Sequence, residues 1–200
     1  MTKLEILTMP DPILRQPAAR IERVDAPLRR LMDDMLETMY EAPGIGLAAP
    51  QVGVSRRLIV MDIGEERAAE TEHAGGSHVE AMEPGHTSSG ARQKVAPHTP
   101  ICMVNPEIVR LGPELRLYEE GCLSLPDVRI DIERPSSLTV RYIDRSGQPQ
   151  ELEAHGLLAT VIQHEVDHLN GKLIIDYLSR LKRDMIVRKF RKAKKGEDIA

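Results

Sequence analysis

Residues 157–171 read LLATVIQHEVDHLNG, which combines the period of a buried helix with a metal-ligand pattern. Apolar residues recur at the spacing of one helical face, namely Leu158, Val161, Ile162, Val166 and Leu169. Gly171 is a suitable end for this helix. His164 and His168 are four residues apart, so they lie on one face and can reach one ion. Glu165 is turned by about 100° from His164, which favours contact with a water molecule over ligation.

A His-Glu-x-x-His helix needs a third ligand before it implies a metal site. Ile174 stands where the extended metzincin pattern has its third histidine, and Glu197 is the only glutamate after the motif. The best candidate lies upstream, at Cys122 in the segment EEGCLSLP. A thiolate is a strong ligand for zinc or iron, and Gly121 allows close approach of the backbone. Cys102 is the rival, but its apolar surroundings (ICMV) favour a small buried side chain.

The composition predicts one domain, residues 1–200, with an aliphatic core. The chain has 200 residues, of which 41% are hydrophobic and 2% aromatic. Its net charge of −4 is uneven, because residues 180–195 contain nine Lys or Arg and one acidic residue. Apolar runs are much shorter than the ~18 residues of a membrane span, and the first residues lack a secretory signal. Two cysteines form no disulfide framework. We therefore expect a cytoplasmic protein without membrane or DNA partners.

The periodic segments predict two further helices and several strands. An amphipathic helix is expected at residues 25–41, with Asp25 as its cap and Pro43 after its end. Strands are expected at residues 57–63 and 101–109, and a hairpin at 138–144 with 151–153. A basic last helix is expected at residues 179–194, with Ser179 as its cap.

Residues 65–100 differ from the rest of the chain because they contain no Ile, Leu, Phe or Tyr. Such a segment buries too little apolar surface to offset its ordering entropy. We expect a long, largely disordered loop inserted between two strands. Its histidines are irregularly spaced, which favours solvated loop residues over metal ligands; they are His73, His78, His86 and His98.

The segment GIGLAAPQVG, residues 44–53, is the second candidate for a functional loop. Two glycines separated by one residue allow a ligand to approach the backbone closely. The segment is not a dinucleotide fingerprint, since no strand leads into it and a third suitably spaced glycine is missing. It is either a tight loop or a substrate-binding segment, in which Gln51 could donate to a reacting carbonyl.

Three stretches together resemble the signature motifs of bacterial peptide deformylases. They are GIGLAAPQ at 44–51, EGCLS at 120–124 and QHEVDH at 163–168, in this order and at these separations. The resemblance extends from about Leu4 to Lys194, apart from the insertion. It implies an α+β fold in which mixed and antiparallel strands surround a central motif helix, with one N-terminal and one C-terminal helix. It also implies removal of the N-formyl group from the initiator methionine of new polypeptides, with release of formate.

The resemblance further implies the roles of individual residues. A divalent metal would be held by Cys122, His164 and His168, with Fe²⁺ as the usual native ion and Zn²⁺, Ni²⁺ or Co²⁺ in some preparations. Glu165 would carry the proton, while the Gln51 amide and the backbone N–H of Leu123 would hold the oxyanion. The substrate contacts would be Ile45, Gly46, Gly121, Arg129, Leu157 and Val161. Of these, Leu157 and Val161 could line a methionine pocket, pack in the core, or do both.

The basic C-terminal helix has two interpretations. Charged residues of this kind usually form a solvated face, whereas the resemblance implies contact with ribosomal RNA phosphates. Two alternative functions also stay open: a His-Glu-x-x-His metallopeptidase, and an inactive ribosome-binding protein of the same fold. The peptidase would keep its metal after Cys122→Ala, and the inactive protein would tolerate Glu165→Ala.

Overall fold

The first long helix, α1, spans Ala26–Glu41 and packs its methionine-rich face on a sheet. The Asp25 side chain accepts a hydrogen bond from the Leu28 N–H at 3.0 Å, as expected of an N-cap. Met32, Met35 and Met39 are fully buried. Burying side chains of this size contributes about 1.5–3 kcal/mol each. The predicted helix is therefore confirmed to within one residue at its start.

The computed structural model describes residues 3–64 and 99–197. Seven strands occur in this part, and their bounds are β1 Gly46–Ala48, β2 Leu58–Met61, β3 Ile101–Leu111, β4 Leu115–Cys122, β5 Leu125–Pro135, β6 Ser137–Ile143 and β7 Pro149–His155. Two further helices follow them, α2 at Gly156–Leu169 and α3 at Arg180–Glu197. Three short 3-10 helices occupy Pro12–Arg15, Ala49–Val52 and Ile174–Tyr177. Of the predicted 65–100 loop, only residues 99 and 100 are among the described residues. All four of its histidines lie outside them.

The strands form a five-stranded sheet in the order β1-β2-β3-β6-β7 and a two-stranded sheet, β4-β5. Within residues 3–64 and 99–197, every strand pair is antiparallel, and the one parallel contact is an isolated bridge between Ala19 and Arg56. The α+β class is confirmed, although the expected mixture of strand directions is reduced to that single bridge.

Alternate residues of β2 show how the larger sheet is buried on both faces. Leu58 and Val60 belong to the apolar cluster around α1, whereas Ile59 and Met61 belong to the cluster around α2. All four side chains are fully buried. Because neighbouring residues of a strand point to opposite faces, a continuous apolar run is what a doubly covered strand requires.

The two-stranded sheet has its own apolar cluster, which joins it to the C-terminal helix. Leu125 and Ile132 pack there with Ile174, and α3 adds Val187 and Phe190. Helix α3 begins one residue after the predicted cap and ends three residues beyond the predicted end. Among the described residues, no helix has the length and apolarity needed to cross a membrane.

Candidate metal centre and substrate cleft

Three side chains of types that ligate metals meet where α2 passes the end of β4. The ligand atoms of Cys122, His164 and His168 all lie within 4.8 Å of one another. The helix contributes two imidazoles, whose ring centroids are 5.0 Å apart. Cys122, the last residue of β4, has its Sγ 3.2 Å from Nε2 of His168. A thiolate and two imidazoles suit a divalent transition metal, so this donor set fits one such ion.

Glu120 holds the ring of His164 from the side opposite the cluster. Its Oε2 lies 2.8 Å from Nδ1 of His164, which leaves Nε2 free to ligate. Arg134 in turn donates from Nε to Glu120 Oε1 at 2.6 Å and from Nη2 to Oε2 at 3.1 Å. Burial opposes the charge on Glu120, but the hydrogen bonds from His164 and Arg134 outweigh it and lower the pKa of this carboxyl.

The sequence analysis assigned no role to Glu120, although it is the first residue of the EGCLS motif, and none to Arg134. Residues two apart in a strand share a face, so Glu120 and Cys122 would have been paired if β4 had been predicted. Arg134 lies near the end of β5, fourteen residues after Glu120, and reaches it across the hairpin. Nothing in its local sequence signals that contact.

Glu165 borders the cluster without belonging to it. Its side chain is buried, and Oε2 has no hydrogen-bond partner among the described residues. Burial raises the pKa of Glu165 to about 7. A Cβ added to Gly46 would crowd this carboxylate and Cγ1 of Val161, so the glycine makes room for Glu165 at the point where β1 passes α2.

Gln51 is oriented so that its amide N–H group faces the cluster. The Ala48 N–H donates to Oε1 at 2.8 Å, which fixes the amide. Its Nε2 then lies 3.2 Å from Ser124 Oγ and 3.7 Å from Cys122 Sγ. The side chain is almost fully buried, so this orientation is strongly constrained.

A cleft of about 410 Å³ opens beside these residues, between the 42–46 segment, the β4–β5 hairpin and α2. The predicted site residues that line it are Ile45, Gly46, Gln51, Gly121, Cys122, Leu123, Arg129, Leu157, Val161, His164 and Glu165. His168 is buried behind them. Tyr118 and Thr160 also line the cleft, although neither belongs to a motif.

Gly121 and Arg129 meet across the wall of the cleft. They are register partners in the β4–β5 pair, and a Cβ on Gly121 would lie 2.6 Å from Nη1 of Arg129. The absence of a side chain on Gly121 therefore makes room for the guanidinium.

Comparison with known proteins identifies the family. The sequence model described as polypeptide deformylase matches residues 3–184. The peptide deformylase of Rhizobium meliloti is 48% identical over 195 residues, which are 98% of this chain and 96% of that protein. That of Agrobacterium fabrum is 48% identical over 197 residues, 98% and 99% of the two chains. This chain belongs to the polypeptide deformylase family.

Solved deformylase structures share the fold. The crystal structure of the peptide deformylase from Ehrlichia chaffeensis gives a TM-score of 0.78 at 37% identity and covers 98% of this chain and 99% of its own. The structure from Legionella pneumophila gives 0.75 at 40% identity, with 98% of each chain covered. The predicted resemblance is therefore confirmed.

Membership of the deformylase family also confirms the predicted activity. The protein is a metal-dependent hydrolase that removes the N-formyl group from newly made polypeptides. The metallopeptidase and the inactive ribosome-binding protein find no support in these comparisons.

Proposed function

We propose that Cys122, His164 and His168 hold the catalytic metal of this deformylase and that Fe²⁺ is the native ion. The proposal rests chiefly on the 4.8 Å cluster of their ligand atoms beside a cleft. Glu120 supports this proposal, because its contact with Nδ1 of His164 leaves Nε2 of the same ring available as the ligand atom. Zn²⁺, Ni²⁺ or Co²⁺ would occupy the same donors in some preparations. When bound, the metal supplies Lewis-acid chemistry that polarises a carbonyl and lowers the pKa of water.

We propose that Glu165 takes a proton from the attacking water and passes it to the departing α-amine. Its place beside the cluster and its unpartnered Oε2 support this role. Water thus adds to the formyl carbon, the C–N bond breaks, and formate and a free amino terminus are the products.

The oxyanion that develops on the formyl oxygen needs donors held in place beforehand. We propose the Gln51 amide and the backbone N–H of Leu123 for this task. Gln51 qualifies because the Ala48 N–H fixes its orientation. Leu123 qualifies because it follows Cys122 directly and lines the cleft.

The substrate would lie extended in the cleft, between two segments of backbone. We propose that Ile45, Gly46 and Gly121 bond its main chain in a strand-like manner. The methionine side chain would contact Leu157 and Val161, one helical turn apart on α2, and Arg129 would lie near the following residues.

One assay tests these assignments together. We expect anaerobically prepared, Fe²⁺-loaded protein to release formate from a formyl-Met-Ala-Ser peptide. Glu165→Gln should keep the bound metal and lose at least about 10²-fold in kcat. Cys122→Ala should lose the metal itself. A matched control is Glu133→Gln, an exposed residue of β5, which should behave as wild type. Full turnover by Glu165→Gln would overturn its proposed role.

We further propose that the protein works in the cytoplasm and that the basic face of α3 contacts ribosomal RNA phosphates. Two free cysteines suit a reducing compartment. On α3, Lys182, Arg188 and Lys192 are exposed, while Val187 and Phe190 pack inward.

A charge-reversal experiment separates the contact with RNA from the packing of the helix. Lys182→Glu/Lys192→Glu should weaken ribosome pelleting, with a smaller salt dependence than wild type, and leave peptide turnover unchanged. Arg23→Glu/Arg30→Glu reverses two exposed charges elsewhere and serves as the control. Equal pelleting by the two variants would reject the ribosome proposal.

A further inference from the structure

A second cavity, of about 810 Å³, lies against a different face of α2. Gln163, Val166 and Asn170 line this rear cavity, whereas Val161 and Glu165 line the cleft. None of the proposed metal ligands or substrate contacts reaches it. The known activity therefore leaves the rear cavity without a role.

Two arginines in the rear cavity have unused hydrogen-bond donors. Arg57 is half-buried and donates to Asn170 Oδ1 at 2.9 Å, Pro106 O at 3.2 Å and Leu169 O at 3.5 Å. A guanidinium has five N–H groups, so these bonds hold Arg57 rigidly and still leave donors free. Arg20 is exposed and makes no hydrogen bond or ion pair with the part of the chain that the structure describes.

The other arginines of the rear cavity are already neutralised. Arg134 is paired with Glu120 and Asp167, at 2.6 Å and 2.9 Å. Arg110 lies 3.6 Å from Glu153. Arg20 and Arg57 are therefore the arginines of the rear cavity that have no ion pair within 4.0 Å among the described residues, although Glu107 also lines the cavity.

These two cations repel one another. Burial, together with the charge of Arg20, lowers the pKa of Arg57, and the charge of Glu107 offsets this effect only in part. Glu107 is exposed and forms no ion pair within 4.0 Å among residues 3–64 and 99–197. Like charges held together at a half-buried site are stabilised by an anion between them.

We propose that the rear cavity binds an oxyanion of the phosphate class between Arg20 and Arg57. The planar guanidinium matches the oxygen geometry of a phosphate group, and the fixed position of Arg57 reduces the entropy lost on binding. The phosphate could belong to a free phosphomonoester or to the backbone of RNA, since both present the same oxygens. The inference is independent of the residue roles proposed for the cleft.

Calorimetric titration of the full-length, metal-loaded protein with inorganic phosphate tests the site, with chloride at equal ionic strength as the reference. Arg20→Gln is the test variant, because Arg57 also holds the end of α2 and its replacement could disturb the helix. Arg23→Gln is the matched control, since it removes an exposed charge three residues away.

We expect wild type and Arg23→Gln to bind phosphate equally and Arg20→Gln to bind it about tenfold more weakly or worse. At equal phosphate concentration the Tm should also rise more for the first two proteins than for Arg20→Gln. Equal binding by Arg20→Gln and Arg23→Gln, or no heat beyond the chloride reference, overturns the proposal.

A competition arm identifies the source of the phosphate. If a short oligoribonucleotide displaces inorganic phosphate from wild type but does not displace it from Arg20→Gln, the site is assigned to RNA. Displacement by a phosphomonoester such as glycerol phosphate alone assigns it to a small metabolite. Peptide deformylation is measured in parallel, so a failure of this proposal is distinguishable from a failure of the cleft assignments.

Discussion

Glu120 contacts His164 at 2.8 Å and is the only acidic side chain among the described residues that touches this imidazole. The same carboxylate is held by Arg134 through two hydrogen bonds. Arg134 also donates to Oδ2 of Asp167 at 2.9 Å. Asp167 lies on α2 about one turn after His164, so Arg134 links the β4–β5 hairpin to this helix. These contacts fix the helix and the β4–β5 hairpin relative to one another, and with them the positions of Cys122, His164 and His168.

Replacing Glu120 with Gln should weaken metal binding. Gln keeps the size of the side chain but removes the charge that orients and polarises His164, a change that typically costs about 10–100-fold in metal affinity. Competition with a chromogenic chelator measures this affinity. Glu133→Gln, in the neighbouring strand, should leave it unchanged. The orienting role is wrong if both variants bind metal as wild type does.

The two cysteines should differ in reactivity. Cys102 is buried, and burial raises the pKa of its thiol to about 11. At pH 8 only about one molecule in a thousand would carry the Cys102 thiolate, which is the reactive form. After removal of the metal, iodoacetamide should therefore modify Cys122 and spare Cys102, as read by mass spectrometry of the digested protein. In a denaturant both cysteines should react, and equal labelling of the native protein would contradict the burial of Cys102.

The sequence predicted the helices and the meeting of Cys122, His164 and His168 better than it predicted what surrounds them. Helix α2 and the position of Cys122 carried strong signals, because a 3.6-residue period and three fixed motifs are local features. Strands β4 and β5 were missed, although residues 128–133 (VRIDIE) alternate apolar and charged side chains, which is the pattern of a half-buried strand. In β4 the apolar residues Leu115 and Leu117 are both largely exposed, so its first half has no buried apolar face. Arg134 could not be found at all, because its role depends on a contact across the hairpin.

Asp25 should stabilise α1 through its cap. Asp25→Ala removes the acceptor for the Leu28 N–H and should lower the free energy of unfolding by about 0.5–2 kcal/mol. Asp25→Asn keeps an acceptor oxygen and should restore most of this stability. Urea denaturation followed by circular dichroism provides the measurement. Since α1 contributes no side chain to the cleft, formate release should be the same in all three proteins. An Asn variant as unstable as the Ala variant would show that the hydrogen bond is not the cause.

The ion pair between Asp33 and Arg145 should make a small, pH-dependent contribution to stability. Arg145 donates to both carboxylate oxygens of Asp33, at 2.6 Å and 2.9 Å, and joins α1 to the turn between β6 and β7. These hydrogen bonds lower the pKa of Asp33. A lowered folded-state pKa means that the stabilisation is fully present above the unfolded value of about 4 and is lost as the pH falls through the folded value. Because the pair is partly exposed, it should contribute less than about 1 kcal/mol.

Asp33→Asn tests that contribution when unfolding is measured in urea at pH 7 and again at pH 3. The variant should be less stable than wild type at pH 7. The difference should shrink at pH 3, because below its unfolded value of about 4 Asp33 takes up a proton in the unfolded chain and the ion pair then contributes less. Asp131→Asn, an exposed carboxyl of β5, should show no such convergence. A difference of constant size at both pH values would mean that Asp33 stabilises the protein through packing and not through its charge.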